Sequence, residues 1–244
     1  MTAPSTAPLI ETRGLSMHFG GVQAVRAVDF AVAEGELRCL IGPNGAGKST
    51  FFKMLTGQLR PTTGEVRFRG TVTSGLHPHA IARLGIGIKM QVPSVFDGLS
   101  VRENLWISAR RRNQRRAAVR VVEQQLERLA LGAIAERLVG HLAHGQRQWV
   151  ELGLVLCTDP TLILLDEPAA GMTEDETGRT AELIQEINRS HALIVVEHDM
   201  RFIRMIARRV TVFDRGAILT EGDVEQVFRD PTVRDIYLGK QVAA

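Results

Sequence analysis

Residues 42–50 of the chain are Gly42-Pro43-Asn44-Gly45-Ala46-Gly47-Lys48-Ser49-Thr50. A largely apolar run, Leu37 to Ile41, precedes them and Phe51 to Leu55 follows, which predicts a strand, a glycine-rich loop and a helix. The glycines let backbone N–H groups point inward, and the helix adds the positive end of its dipole, so the loop is suited to wrapping a phosphate chain. Lys48 supplies a charge for the outer phosphates, and the Ser49 hydroxyl is placed to coordinate a Mg²⁺. The run therefore predicts a nucleotide site.

Length and composition are those of an ordinary folded protein. The chain has 244 residues, 44% of them hydrophobic and 23% charged, which is enough to bury a full core. The longest apolar runs, such as Leu162 to Leu165 and Leu193 to Val196, are too short to span a bilayer. Met1 to Pro8 lacks the basic start and apolar core of a signal peptide, so we expect a flexible tail and a cytoplasmic protein. Cys39 and Cys157 both lie in apolar segments and are expected to be reduced, buried thiols.

Positive charge is concentrated in one segment, although the net charge is only +3. Six arginines fall between Arg110 and Arg120. A solvated helix face explains them, and contact with anionic lipid head groups beside a membrane partner is the alternative. Nucleic acid fits less well, because no aromatic residue lies between these arginines to stack on bases. We therefore expect no nucleic-acid partner.

Two alternating segments near the N-terminus predict antiparallel strands over Leu9 to Leu15 and Val22 to Val32. The alternating segment Glu65 to Gly70 is predicted to return to the same sheet. Phe19 is predicted to lie in the loop between the first two strands. Its ring could stack there on a purine or serve equally well as a core anchor, and the sequence leaves both open.

Two further apolar strands are followed by acidic residues and a histidine, which are residue types found at sites of phosphate chemistry. Leu162 to Leu165 run into Asp166 and Glu167, and Ala192 to Val196 lead to His198. Open α/β sheets bind ligands at the carboxyl ends of their strands, so Asp166 is predicted to reach the Mg²⁺ and Glu167 to polarise an attacking water. His198 is predicted to contact a γ-phosphate. Solvated strand-end acids and a structural histidine are the alternatives.

Hydrophobic periodicity and turn residues predict the remaining elements. These are a helix over Pro78 to Leu84, a strand over Gly85 to Met90, helices starting near Val101 and Arg115, a hairpin of Val210 to Phe213 with Ala217 to Thr220, and a helical tail from Val224 to Leu238. A packing stripe of Val119, Val122, Leu126 and Leu129 is expected in the helix after Arg115.

From about Leu9 to Gly239 these motifs resemble the ATP-binding-cassette (ABC) ATPases. The resemblance implies an α/β fold: a P-loop NTPase core with a mainly parallel sheet, an N-terminal antiparallel β subdomain and an inserted α-helical subdomain. It implies one domain over residues 9–240 after a tail at 1–8. Within this domain, 9–91 and 158–240 are the nucleotide-binding core, and 92–157 are the helical subdomain with the signature motif.

The resemblance also implies that ATP and Mg²⁺ bind through residues spread over the chain. The implied nucleotide contacts are Gly42 to Thr50 for the phosphates and Phe19 for adenine, and the implied metal contacts are Ser49, Gln91 and Asp166. Glu167 is implied as the general base, and Lys48 and His198 as the other catalytic residues.

The family signature grips the γ-phosphate of ATP bound to a second subunit, and it falls here at Leu142-Ala143-His144-Gly145-Gln146. The common form is Leu-Ser-Gly-Gly-Gln. Ala143 lacks the serine hydroxyl, so one hydrogen bond to the γ-phosphate is missing. His144 either supplies a substitute donor or points to solvent.

Several stretches are similar to the ATPase subunits of branched-chain amino acid importers and of urea or short-amide importers. They are Ala170 to Thr173, Glu197 to Met200 with Phe202, and Asp230 to Gly239. Features that favour the urea type are His144 to Gln146 with Gln148-Trp149, and Glu176-Thr177 followed by Thr180 to Leu183.

This resemblance implies the ATP-hydrolysing motor of a bacterial-type importer, peripheral on the inner face of the membrane. Two ATPase subunits, identical or paralogous, would drive transmembrane permease subunits and, indirectly, a periplasmic substrate-binding protein. The alternative is a soluble ABC-family ATPase that acts on ribosomes, nucleic acid or cofactor assembly. We predict the permease contact between Gln91 and Arg112, where Val95, Phe96 and Leu99 would line a groove, with ordinary core as the alternative.

Overall fold

The computed structural model describes residues 7–90 and 95–238. In chain order the described strands are β1 (Ile10–Phe19), β2 (Val22–Val32), β3 (Leu37–Ile41), β4 (Thr63–Phe68), β5 (Thr71–Val72), β6 (Ile86–Lys89), β7 (Leu162–Asp166), β8 (Ala192–Val196), β9 (Arg209–Asp214) and β10 (Ala217–Asp223). The described α-helices are α1 (Lys48–Leu55), α2 (Pro78–Leu84), α3 (Val101–Ala109), α4 (Arg115–Arg128), α5 (His144–Leu156), α6 (Glu174–Asn188), α7 (Met200–Ile206), α8 (Val224–Arg229) and α9 (Pro231–Leu238). The predicted tail at 1–8 lies largely outside the described residues.

The smaller sheet is antiparallel, with the strand order β2-β1-β4-β5. The predicted strand at residues 65–70 does return to this sheet, where β4 pairs with β1. The first strand is longer than predicted, because β1 continues past Leu15 to a tight turn at Gly20-Gly21. Phe19 therefore ends a strand and does not lie in a loop, which corrects the prediction.

The larger sheet has the order β10-β9-β3-β8-β7-β6. Its strands are parallel except for β10, which pairs with β9 in the predicted hairpin. The hairpin turn is Arg215-Gly216, and both residues have the positive φ that a type I′ turn needs, 46° and 82°. β8 is buried along its whole length, and β7 is buried from Leu162 to Leu165, which explains their unbroken apolar runs.

Each face of the larger sheet has its own hydrophobic core. One core includes the antiparallel sheet and α1 and contains residues such as Phe51 and Phe213. The other core joins α3 to α6 to the opposite face and contains Leu105, Trp149 and Ile163. The helical segment between β6 and β7 therefore packs directly on the larger sheet.

Two helical predictions are corrected by the structure. In α4 the buried residues are Ala118, Val122 and Leu126, whereas Val119 lies at the edge of this face and is exposed. The predicted C-terminal helix is two helices, because Pro231 cannot continue α8 and instead starts α9.

The basic segment spans the end of α3, a short connection and the first turns of α4. All six arginines are exposed, as predicted for a solvated surface. Arg112 also donates to the carbonyl oxygens of Ala82 and Arg83 at 3.2 and 3.1 Å, near the end of α2. Among the described helices, none has the length and apolar character needed to cross a membrane.

Candidate functional site

The loop between β3 and α1 is shaped by its glycines. A Cβ atom on Gly42 would lie 2.3 Å from the carbonyl oxygen of Phe213, and one on Gly47 would lie 2.5 Å from that of Ala24. No side chain fits at either position. Gly45 is different: its φ is +80°, and nothing lies within 4 Å of the place where its Cβ would be. The backbone at Gly45 thus faces open space, as a phosphate cradle requires.

Lys48 is the first residue of α1 and points back into this loop. Its ammonium group donates to the carbonyl oxygens of Gly42 at 2.5 Å and Pro43 at 3.1 Å. Burial lowers the pKa of Lys48, and the nearby carboxylates of Glu167 and Asp166 act in the opposite direction. The ammonium therefore lies against the loop, within electrostatic range of the acids that follow the apolar run of β7, where a phosphate chain would contact it.

Asp166 ends β7 and is partly buried beside these cations. Burial raises the pKa of Asp166, Glu167 adds to this effect, and the charges of Lys89, Lys53 and Lys48 oppose it. The exposed Ser49 hydroxyl belongs to α1, one residue after Lys48. One carboxylate with one hydroxyl fits a Mg²⁺ that takes its remaining oxygens from phosphates and water. Gln91, the third predicted metal contact, lies outside the described residues.

Glu167 and His198 lie side by side at the ends of neighbouring strands. Glu167 has a φ of 46°, which is rare for a residue other than glycine, and its N–H donates to the Val196 carbonyl at 2.9 Å. This turn brings its Oε1 to 3.2 Å from Nδ1 of His198. The imidazole is 60% exposed, so its other nitrogen remains accessible from the site. The structure thus brings the predicted base and the predicted histidine together.

Glu197 holds this pair in place, a role that the sequence analysis missed. Its buried carboxylate accepts from the backbone N–H groups of His198 at 3.0 Å, Ala169 at 3.3 Å and Asp199 at 3.5 Å. Burial raises the pKa of Glu197, and these hydrogen bonds act against that shift. The carboxylate therefore joins the His198 turn to the turn after Glu167. The sequence signal was an acid placed directly between a buried strand and the histidine.

Phe19 is 48% exposed at the end of β1, opposite Val22, which is 66% exposed. The core-anchor interpretation of Phe19 is therefore wrong. β2 continues from Val22 to Ala24, whose carbonyl oxygen approaches Gly47 of the phosphate loop. An exposed ring at this end of the hairpin is available to a flat apolar group bound beside the loop.

The first residues of α5 contact the segment that follows Glu167 in the same chain. Ala143 is the N-cap and offers no side-chain acceptor, while Oε1 of Gln146 accepts from the Ala143 N–H at 3.3 Å. Nε2 of His144 lies 2.9 Å from the Ala170 carbonyl oxygen, so the ring does not simply point to solvent. A Cβ on Gly145 would lie 2.3 Å from a carboxylate oxygen of Glu176, so a larger residue there would require the Glu176 side chain to move.

Comparison with known proteins identifies the class to which this fold and site belong. The profile of the ABC transporter family matches residues 25–170. The chain therefore belongs to the ABC transporter family and is one of its ATP-hydrolysing subunits, which confirms the predicted family, fold class and enzyme class.

Individual relatives match over nearly the whole chain. The chain is 36% identical to the high-affinity branched-chain amino acid transport ATP-binding protein BraF of Pseudomonas aeruginosa, over 96% of this chain and 98% of that protein. It is 35% identical to LivG of Escherichia coli (strain K12), with the same coverage of 96% and 98%. The solved ADP conformation of MJ1267, an ATP-binding cassette of an ABC transporter, has a TM-score of 0.86 and 28% identity and covers 96% of this chain and 100% of that one.

Proposed function

We propose that this protein is the ATP-hydrolysing motor subunit of an importer that lies on the inner face of a membrane. The observation that carries the proposal is the meeting of the phosphate loop, Asp166, Glu167 and His198 at one edge of the sheet. The alternative, a soluble ABC-family ATPase acting on ribosomes, nucleic acid or cofactor assembly, is not favoured, because BraF and LivG are named for transport.

The chemistry follows from what each side chain can do. Ser49 and Asp166 would hold Mg²⁺, which when bound neutralises charge on the outer phosphates. Lys48 exchanges its bonds to the loop carbonyls for bonds to phosphate oxygens, and Glu167 orients a water for in-line attack. Nδ1 of His198 faces Glu167 at 3.2 Å, which leaves Nε2 of the ring to contact a γ-phosphate.

A second ATPase subunit, identical or paralogous, completes each site in this proposal. α5 has thirteen residues and begins at His144 without a side-chain cap, so its first N–H groups are available to an anion. Ala143, Gly145 and Gln146 would present this helix start to the γ-phosphate bound by the other subunit. ATP would then act as the contact that holds two subunits together.

The proposed cargo is a branched-chain amino acid, because the relatives BraF and LivG are named for branched-chain amino acid transport. Urea or a short amide is a second candidate. It is favoured by the similarity of His144 to Gln146, Gln148-Trp149 and the start of α6 to the urea-type subunits. In either case, permease subunits and, indirectly, a periplasmic substrate-binding protein would complete the transporter.

A groove of about 820 Å³ between α2, β6, α3 and α5 is the proposed docking site for the permease. Phe96 and Ile107 expose apolar surface at the groove, and the exposed Arg83 and Arg111 add positive charge. We propose that an amphipathic cytoplasmic helix of the permease binds here, with acidic residues toward the arginines.

Phe96 is held so that its ring is presented to a partner. The buried Asn104 side chain accepts from the Phe96 N–H at 2.8 Å and donates to the Phe96 carbonyl at 3.0 Å. Phe96 is 58% exposed, so the core interpretation of this residue is wrong. Val95 instead packs against the hydrophobic core, and neither Val95 nor Leu99 is among the groove-lining residues, which corrects that part of the prediction. A rigid backbone with an exposed aromatic ring is typical of a residue that anchors an interface.

Two measurements test the enzyme and the cargo. Purified protein is expected to hydrolyse ATP only with Mg²⁺. Lys48→Ala is expected to lose binding of a fluorescent ATP analogue, whereas the exposed-site control Arg69→Ala keeps it.

In the source organism, disruption of the gene is expected to abolish uptake of radiolabelled leucine. The parent gene is expected to restore this uptake, and its Glu167→Gln variant is not. Loss of urea uptake alone would favour the second cargo, and unchanged uptake of both would contradict the importer.

The docking site is tested with Phe96→Asp. The variant is expected to fold and bind ATP like the parent, because the ring contributes little to the core, but to abolish uptake. Val72→Asp is the control, since it places the same charge on an exposed residue of β5. Unchanged uptake by Phe96→Asp would remove the groove from the permease contact.

A further inference from the structure

A row of polar side chains runs along one face of α5 toward the edge of the larger sheet. His144, Gln148 and Glu151 follow one another at the spacing i, i+4 and i+7, which puts them on the same helix face. Lys89, the last residue of β6, lies opposite Glu151, with 3.7 Å between its Nζ and Oε2 of the carboxylate. We name these four residues the α5 polar row.

Three members of the α5 polar row are buried and incompletely paired, whereas His144, at the start of α5, is exposed. Lys89 is 3% exposed, and Gln148 and Glu151 are each 5% exposed. Within residues 7–90 and 95–238, Nζ of Lys89, Oε1 of Gln148 and Oε1 of Glu151 have no hydrogen-bond partner. Buried polar atoms are usually paired, because leaving them unpaired costs free energy.

The gap between Lys89 and Glu151 is small enough to close. A charged N–H···O bond is about 2.7–2.9 Å long, so an approach of roughly 1 Å between α5 and β6 would form one. The present arrangement is therefore one in which the two charges attract each other across a gap. An approach of α5 to the sheet would gain a charge-assisted hydrogen bond, and a retreat would leave two buried charges apart.

The two ends of the row reach the two parts of the proposed ATP machinery. At one end, His144 begins α5 and contacts the Ala170 carbonyl. At the other end, Lys89 pairs in register with Leu165, next to Asp166, and is the foremost cation acting on the Asp166 carboxylate. Lys89 and Glu151 also line the groove between α3 and β6.

We propose that Lys89 and Glu151 are positioning residues that set the distance between α5 and the Asp166 edge of the sheet. ATP-dependent pairing of two subunits and docking of a partner in the groove would both change this distance. Both would therefore change the contact between Lys89 and Glu151. The inference rests on the proposed function, because it requires the ATP-dependent pair of subunits.

A purely structural ion pair would predict a different pattern of variants. Removing one partner destabilises the fold in both cases, because it leaves a buried charge alone. Removing both charges with apolar residues of similar volume restores stability in both cases. The strength of subunit pairing distinguishes the structural role from the positioning role. Only the loss of a positioning pair would weaken pairing in a protein that still folds and binds nucleotide.

The test uses the full chain with Glu167→Gln, which slows turnover, and measures the ATP-dependent dimer dissociation constant by analytical ultracentrifugation. Glu151→Asp retracts the carboxylate by one methylene and is expected to weaken the dimer about tenfold, with ATP binding to the monomer unchanged. Adding Lys89→Arg, which reaches farther, is expected to restore most of the affinity. Lys89→Met with Glu151→Leu is expected to fold and to dimerise at least about tenfold more weakly.

Glu136→Asp is the matched control, because Glu136 pairs with Arg102 on the exposed surface of the helical segment. Dimer affinity unchanged in Glu151→Asp, or a loss that Lys89→Arg does not repair, would overturn the proposal even if the apolar double variant fails to fold. A Glu167→Gln parent that binds ATP without pairing would contradict the proposed dimer itself, and the positioning role with it. In that case the Glu167→Gln parent itself does not dimerise, and this is seen before any variant of Lys89 or Glu151 is compared with it.

Discussion

Nδ1 of His198 lies 3.2 Å from Oε1 of Glu167, so the predicted histidine and the predicted base form one unit. The two residues follow different strands, β7 and β8, which are neighbours in the parallel sheet. The carboxylate lies close enough to the ring to restrict how the imidazole is oriented. In the proposed mechanism, Glu167 therefore contacts both the histidine and the attacking water.

We expect Glu167→Gln to bind ATP and pair as the parent does, but to lose nearly all turnover, because the amide keeps the shape and removes the charge that orients water. Mg²⁺-dependent ATPase activity and light scattering with ATP measure the two effects. Glu127→Gln, at an exposed carboxylate of α4, is the control. Turnover within about threefold of the parent corresponds to a barrier change below roughly 1 kcal/mol and would remove Glu167 from the role of base.

The parts of the site that could be predicted are encoded in contiguous residues. The phosphate loop is a fixed spacing of glycines with Lys48 and Ser49, and the position of Asp166 follows from the apolar strand before it. The antiparallel sheet and the β9–β10 hairpin are likewise marked by alternation and turn residues. These local sequence patterns can be identified without knowing which distant segments of the chain are in contact.

The parts that could not be predicted depend on tertiary contacts. Nothing in the sequence around Lys89 or around Glu151 indicates that the two side chains meet inside the fold. The orientation of His144 depends on where the segment after Glu167 passes, which α5 alone does not determine. Phe19 was misplaced because strand ends are set by pairing with a neighbour, here Val22, and not by local propensity.

Arg38 is predicted to stabilise the fold through its buried guanidinium. Its guanidinium is 1% exposed and bonds Glu36 at 2.6 Å, Glu221 at 2.8 Å and Thr211 at 2.9 Å. Arg38→Met is expected to lower the free energy of unfolding by about 3 kcal/mol, because the acids lose a buried partner.

Urea denaturation monitored by circular dichroism measures this loss. Arg13→Met is the control, because Arg13 is 63% exposed and its ion pair with Glu11 at 3.1 Å is worth less than about 1 kcal/mol. An equal loss in the free energy of unfolding in the two variants would show that burial of the Arg38 guanidinium adds nothing to stability.

The two cysteines are predicted to be unreactive in the folded protein. Burial raises the pKa of Cys157 to about 12, and burial together with Glu197 raises the pKa of the Cys39 thiol even further. Thiols with a raised pKa hold little thiolate at pH 8, and thiolate is the reactive form. Ellman's reagent is expected to label both cysteines only after unfolding in guanidinium, and rapid labelling of the native protein would contradict the buried assignment.

Two roles are proposed for His144: contact with Ala170 in the same chain, and donation to a phosphate across the subunit interface. One set of variants distinguishes them. Nε2 lies 2.9 Å from the Ala170 carbonyl, so in this arrangement the N–H is donated within the same chain. While Nε2 donates to Ala170, that N–H is not available to a phosphate. To act as the substitute donor across the subunit interface through Nε2, the ring must leave Ala170.

We therefore expect His144→Gly, in a Glu167→Gln background, to weaken ATP-dependent dimerisation about tenfold by freeing the segment after Glu167. Ala143→Ser supplies the hydroxyl that the common signature carries, but it cannot replace a bond to Ala170, so it should not repair the loss. Analytical ultracentrifugation with ATP measures both variants. Full repair by Ala143→Ser would instead establish His144 as the phosphate donor, because the hydroxyl and the ring would then be interchangeable. A dimer unaffected by His144→Gly would exclude both roles and leave Gly145, Gln146 and the helix dipole to hold the phosphate.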